Sequence, residues 1–147
     1  MGKYHWKLFR QVLREMYYRY VDAGDPRPVI GDMNASPDCE GHPSGSHSTG
    51  SAIDVNYFTT GPNNYTQYVP CGQARTEIWD GDKLVNFDVE RNRLFVMLLK
   101  EAFPRVVVLM DKRIKAVCAP DLGWVHGNAP MKWNHHTHMH VETGGLG

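Results

Sequence analysis

The stretch GSHSTGSAIDVNYF, residues 45–58, sets a histidine in a turn-rich segment and a carboxylate inside an apolar run. Side chains of a β-strand alternate between its two faces, so Ile53 and Val55 face one side and Asp54 the other. A carboxylate in such a run costs free energy unless something pairs with it. We therefore expect a core-facing apolar side and an Asp54 that points into a cleft toward a metal ion. If the metal is its partner, Asp54→Asn should make the metal-free protein more stable.

A second stretch, HMHVE at residues 138–142, shows the same alternation. Its two histidines share one face of the predicted strand, and its methionine and valine share the other. Placed beside AIDVNYF, this strand brings His138 and His140 into the cleft of Asp54. His47, in the loop before the aspartate, can reach the same point.

Two imidazoles and one carboxylate form a familiar zinc shell that leaves a position open for water. Neighbouring imidazoles on one face of a strand lie about 6–7 Å apart, from the strand rise over two residues. One histidine of the H-x-H pair is therefore expected to bind the metal and the other to act as acid and base beside it. The non-haem iron oxygenase triad and a metal-dependent nuclease are the rival readings of such a set.

The rest of the chain predicts helices and strands without a regular βαβ alternation, which indicates an α+β fold with an antiparallel sheet. Asp88 is the expected N-cap of the second helix, and Pro104 ends that helix. The predicted elements are a helix at 4–21, a strand at 28–33, a hairpin around Asp80 and Gly81, a helix at 89–103, a strand at 105–110 and a short helix at 111–118.

Length and composition limit the possible functions. A chain of 147 residues suits one domain, here 1–147, and its 16 basic and 16 acidic residues argue against a nucleic-acid partner. No apolar run approaches the roughly 20 residues of a membrane span, and the first residues lack the apolar region of a signal peptide. The sequence leaves open the oligomeric state and the roles of His42 and His136. It also leaves open whether Cys39, Cys71 and Cys118 are all free thiols or include one disulfide.

The segment SHSTGSAID, followed far downstream by HMHVE, resembles the LAS group of zinc peptidases, whose shared pattern is H-x(6)-D and then H-x-H. Within that group, VIGDM, GSHSTGSAIDV and HHTHMHVE look most like the penicillin-insensitive murein endopeptidases. The likeness spans about residues 29–142. It implies the LAS/hedgehog-type fold, in which an antiparallel sheet flanked by helices lines a zinc cleft.

The resemblance also implies roles for single residues. His47, Asp54 and His140 would bind Zn²⁺, and His138 would be the catalytic histidine. His135 would orient water or stabilise the oxyanion.

The implied activity is zinc-dependent hydrolysis of a peptide bond in the stem peptide or cross-link of peptidoglycan. The alternatives are a D-Ala-D-Ala carboxypeptidase or dipeptidase of the same fold, and a binding module that holds zinc without turnover. The place of action would be the cell wall, reached from the periplasm or as a released phage lysin.

Glu142 is expected to bind a substrate amine or to lie on the surface. Tyr57 and Trp79 are expected to line the cleft, to pack in the core or to anchor a loop.

Overall fold

A computed structural model of the chain describes residues 3–20, 52–60, 78–128, 135–136 and 138–144, with side chains of the first helix from 7 to 16. The predicted ligand His47 lies outside these ranges, as do His42, Cys39, Cys71 and the predicted strand at 28–33. Cys118 is a buried free thiol, and burial raises its pKa to about 11.

The described helices and strands follow the predicted order, with one strand, at 125–128, that was not predicted. The hairpin turns at Gly81, whose φ of 60° suits a residue without a Cβ atom. In none of the described helices is there a segment long and apolar enough to cross a membrane. The elements are α1 (Lys3–Tyr20), β1 (Ala52–Asn56), β2 (Trp79–Asp80), β3 (Lys83–Leu84), α2 (Val89–Ala102), β4 (Val107–Asp111), α3 (Lys112–Cys118), β5 (Val125–Asn128) and β6 (His138–Glu142).

Four of these strands form a mixed sheet in the order β1-β6-β4-β5, and β2 pairs with β3 separately. Strand β6 is antiparallel to both β1 and β4, whereas β4 and β5 are parallel. The combination of helices with a sheet agrees with the predicted α+β class. The prediction of a wholly antiparallel sheet is wrong, because β4 and β5 are parallel. Helix α3 lies in the connection between these two strands, and parallel neighbours need such a crossover.

The apolar face of the sheet lies against the helices. Ile53 pairs with Val141 and Val55 with Met139, and all four side chains are completely buried. They belong to one core with Phe95 of α2. The opposite face of β1 and β6 is therefore the one available for polar side chains.

Helix α2 is tied to the end of β1 by Asn92, which is completely buried. Its Oδ1 accepts a hydrogen bond from the backbone N–H of Phe58 at 3.0 Å, and its Nδ2 donates to the carbonyl of Phe58 at 2.8 Å. The predicted N-cap is present, since Asp88 Oδ1 accepts from the N–H of Arg91 at 2.9 Å. These bonds fix the chain where it leaves the strand that carries Asp54.

Replacing Asn92 with Leu should lower the free energy of unfolding by about 1–3 kcal/mol, because the buried N–H of Phe58 then loses its acceptor. Urea unfolding measures this difference. Glu101→Gln, an exposed change on the same helix, is the control and should change the free energy little. Equal values for the two variants would contradict the anchoring role of Asn92.

Candidate metal centre

The structure places three of the predicted site residues on one face of two neighbouring strands. In the register of β1 and β6, Asp54 lies opposite His140, and Asn56 lies opposite His138. Paired residues of adjacent strands point to the same side of a sheet. Asp54, His138 and His140 therefore project together from the face opposite Ile53, Val55, Met139 and Val141.

Asp54 and His140 are in direct contact. Oδ1 of Asp54 is 2.8 Å from Nδ1 of His140, and the two residues are 4% and 2% exposed. Burial alone would lower the pKa of His140, but the hydrogen bonds and negative charges of Asp54 and Glu142 outweigh it, so this pKa lies above its usual value. The imidazole of His140 thus supplies a hydrogen-bonding partner for the carboxylate that the sequence places in an apolar run.

His138 lies next to this pair and is more accessible. Its Nε2 is 3.5 Å from Oδ2 of Asp54, and its side chain is 20% exposed. That distance exceeds the usual limit of about 3.2 Å for a hydrogen bond. Of the two histidines in the H-x-H pair, His138 is the one that lies near the buried carboxylate and is also exposed to solvent.

His135 brings a third imidazole to the same place from a turn. Its ring centre is 5.4 Å from that of His138 and 5.7 Å from that of His140. Nδ1 of His135 is 2.9 Å from Oδ1 of Asn128, the last residue of β5. An amide oxygen only accepts hydrogen bonds, so Nδ1 is the donor in this contact, and in the neutral form of the ring Nε2 is an acceptor.

Hydrogen bonds to its backbone carbonyls hold the turn of His135 in place. Tyr57 O–H donates to the carbonyl of His135 at 2.5 Å, and Trp79 Nε1–H donates to that of His136 at 2.6 Å. The backbone N–H of Asp111 also donates to His135, at 3.2 Å. Burial raises the pKa of Tyr57 well above its usual value, which keeps the donating hydroxyl protonated. Tyr57 and Trp79 thus position the turn.

Asp111 supports the same region through an ion pair. Its side chain is completely buried, its Oδ1 accepts from the N–H of Arg113 as the N-cap of α3, and its Oδ2 is 2.8 Å from Nη2 of Arg113. The guanidinium lies 3.9 Å above the ring of Trp79. Burial alone would raise the pKa of Asp111, but the hydrogen bonds and charge of Arg113 lower it overall.

A carboxyl group with a lowered pKa in the folded state stabilises the protein above its unfolded pKa and loses this effect as the pH falls through the folded value. At pH 7 the free energy of unfolding of wild type should therefore be about 1–3 kcal/mol higher than that of Asp111→Asn. This is the usual effect of removing a hydrogen-bond partner from a buried polar group. The difference should shrink as the pH falls below about 4. Denaturant unfolding across pH measures it. Asp82→Asn is the matched control, because Asp82 lies 3.6 Å from the same guanidinium but is fully exposed. A constant difference at all pH values would contradict this account.

Glu142 is a site residue whose contact with His140 sequence reasoning missed. It is 4% exposed, and its Oε1 is 2.8 Å from Nε2 of His140. The expectation of a surface position is therefore wrong. The alternation within HMHVE was the available signal, because it sets Glu142 on the face of both histidines. Asn128 had no comparable signal in the sequence.

The donor atoms described here suit zinc in kind, since Zn²⁺ takes histidine nitrogen and carboxylate oxygen. Two ligand atoms of a tetrahedral zinc ion lie about 3.3 Å apart, so Asp54 and His140 would need to separate by about half an ångström from their hydrogen bond. His47, the third predicted ligand, lies outside the described ranges. Among the described residues themselves, no group of three or more His, Cys, Asp or Glu side chains is arranged to hold a metal ion.

Neither a protein-family model, nor a curated protein, nor a solved structure matches the chain.

Proposed function

We propose that the chain is a zinc peptidase that hydrolyses a peptide bond in the stem peptide or cross-link of peptidoglycan. The observation that carries the proposal is the register of β1 and β6, which sets Asp54 beside His140 and brings His138 to the same face. These are the positions of the D and H-x-H elements in the LAS pattern. The wall substrate and the LAS fold rest on the resemblance of the motifs.

In this proposal His47, Asp54 and His140 hold the metal. Bound zinc supplies a Lewis acid that polarises the scissile carbonyl and makes a water molecule more acidic. The partly exposed His138 would accept a proton from the attacking water and return it to the leaving amine. Its place beside Asp54, with access to solvent, suits a group that exchanges protons during each turnover.

His135 has a narrower role here than the motif alone implies. Because Nδ1–H is directed at Asn128, the neutral ring offers Nε2 as an acceptor. An acceptor can orient a water molecule through one of its hydrogens, whereas an oxyanion needs a donor. We therefore favour water orientation, and the hydrogen bonds of Tyr57 and Trp79 to the turn keep the ring in place.

The decisive experiment incubates the purified chain with defined muropeptides and identifies the products by mass spectrometry. An endopeptidase cuts within the stem peptide or cross-link, whereas a carboxypeptidase releases only the terminal D-Ala. Activity should disappear with a chelator and return with zinc. Elemental analysis should find about one zinc ion per chain, as expected for a single three-ligand site. Zinc binding without any cleavage would support the binding module instead, and an iron-loaded protein would contradict the peptidase.

A further inference from the structure

Asn56 ends β1 on the same face as Asp54 and directly opposite His138 of β6. Its neighbours Val55 and Tyr57 are buried in the core, so the strand fixes the face from which the amide projects. Opposite residues of an antiparallel pair have Cβ atoms about 4.5–5.5 Å apart, and two residues along a strand span about 6–7 Å. Asn56 therefore borders the place where the proposed reaction occurs.

The amide of Asn56 is available for a ligand. Its side chain is half-buried, and among the residues that the structure describes none hydrogen-bonds this amide. Asn92 is the contrasting case, because it is completely buried and uses both amide atoms on the backbone of Phe58. A side-chain amide carries two N–H donors, so Asn56 can donate hydrogen bonds on the face of the proposed catalytic histidine.

Hydrolysis of a peptide bond needs a donor at the carbonyl oxygen. As the oxygen of water bonds to the carbonyl carbon, the electron pair of the C=O π bond moves onto the carbonyl oxygen, and the proton of water passes to His138. When the C–N bond breaks, that pair re-forms the carbonyl and His138 protonates the leaving amine. A hydrogen-bond donor at the oxygen stabilises the negative charge between these two steps.

Other neutral groups near the site are less suited to this task. Neutral His135 offers an acceptor at Nε2. Tyr57 O–H and Trp79 Nε1–H already donate to backbone carbonyls of the turn. Asn128 lies on β5, two strands from β6 in the sheet, whereas Asn56 lies on the adjacent strand.

We infer that Asn56 is a further catalytic residue, whose amide N–H donates a hydrogen bond to the oxyanion that forms from the scissile carbonyl. This inference rests on the proposed function, because it requires the chain to cleave a peptide bond. It gives β1 two tasks at the site, with Asp54 toward the metal and Asn56 toward the substrate.

Asn56→Leu keeps the approximate size of the side chain and removes the donor. Its kcat and kcat/KM on muropeptides should both fall by about 10²- to 10³-fold, as for the loss of one oxyanion donor, with KM and zinc content unchanged. Asn56→Ala is the second variant, and Glu90→Gln, an exposed change on α2, is the control that should match wild type. A folded, zinc-loaded Asn56 variant with the kcat of wild type would overturn the inference and leave the proposed function intact. A wild type that cleaves no muropeptide would overturn both.

A phosphinate analogue of the muropeptide, which mimics the tetrahedral intermediate, supplies a measurement other than turnover. Its inhibition constant for Asn56→Leu should rise by about the factor by which kcat/KM falls, because the donor acts only on the tetrahedral form. An unchanged inhibition constant would overturn the inference.

Nitrogen NMR of zinc-loaded wild type tests the same contact without a variant. When the phosphinate analogue binds, one side-chain amide proton of Asn56, assigned through its own Cβ protons, should shift downfield as it donates to the anion. Amide signals of Asn56 that do not change on binding would overturn the inference, whether or not the variants fold.

Discussion

His138→Ala should retain its zinc and lose peptidase activity by about 10²- to 10⁴-fold, the usual contribution of a general acid and base. His138 approaches the buried pair at Asp54, where its Nε2 lies 3.5 Å from Oδ2. Removing its ring therefore leaves the hydrogen bond between Asp54 and His140 intact. The effect should lie in the turnover number, measured on muropeptides with zinc content determined on the same samples.

His140 is the matched comparison, because it lies on the same strand face but is buried between two carboxylates. His140→Gln should lose zinc and activity together. His140→Ala should in addition lose about 1–3 kcal/mol of stability, since two buried carboxylates then lack the hydrogen-bonding side chain between them. If the His138 and His140 variants lose zinc equally, the division between base and ligand within HMH is wrong.

Asp54→Asn should weaken zinc binding by more than about 100-fold, because a charged ligand is lost. Residues that contact only the ligands typically change metal affinity by about 10- to 100-fold. It should also destabilise the metal-free protein by about 1–3 kcal/mol, because His140 loses its charged acceptor. The sequence alone suggested the opposite sign for the metal-free protein. The sign changes because the structure supplies a partner for Asp54, the imidazole of His140, without any metal.

Thermal melting of wild type, Asp54→Asn and the exposed control Asp82→Asn, each with and without chelator, measures both effects. Chelator should lower the melting temperature of wild type and of Asp82→Asn, and should leave Asp54→Asn nearly unchanged. An unchanged wild type, or an Asn variant that binds zinc as tightly as wild type, would contradict the role of Asp54 as a ligand.

The strand pairing at the centre of the site could be predicted because its pattern is local to each strand. Period-2 alternation in 52–56 and 138–142 separates apolar from polar side chains, and burial of the apolar face sets the register. The bounds of helix α2 could be predicted equally well, since Asp88 and Pro104 mark its two ends. The pairing of β5 was not, because VHGN carries a single large apolar residue and shows no alternation.

The hydrogen-bond partners of Tyr57 and Trp79 in the His135 turn could not be predicted for a different reason. Tyr57 and Trp79 donate to backbone carbonyls that are 78 and 57 residues away in the chain. A carbonyl acceptor is present at every residue, so such a bond leaves no mark on the sequence around its acceptor. Aromatic residues next to apolar runs are expected in a core whether or not they also donate a hydrogen bond.

The contact between Asp54 and His140 joins residues 86 positions apart, and they lie on strands that are neighbours in the sheet. Closing a loop of this length costs about 4 kcal/mol of chain entropy by the logarithmic rule, before its constant term is added. An ion that needs both side chains therefore has little affinity for the unfolded chain and acts on the equilibrium by mass action. At about one hundred times its dissociation constant it would add roughly 2.7 kcal/mol to the folded state. Metal uptake would then report the pairing of β1 with β6, because any folding intermediate in which these two strands have not yet paired lacks the site.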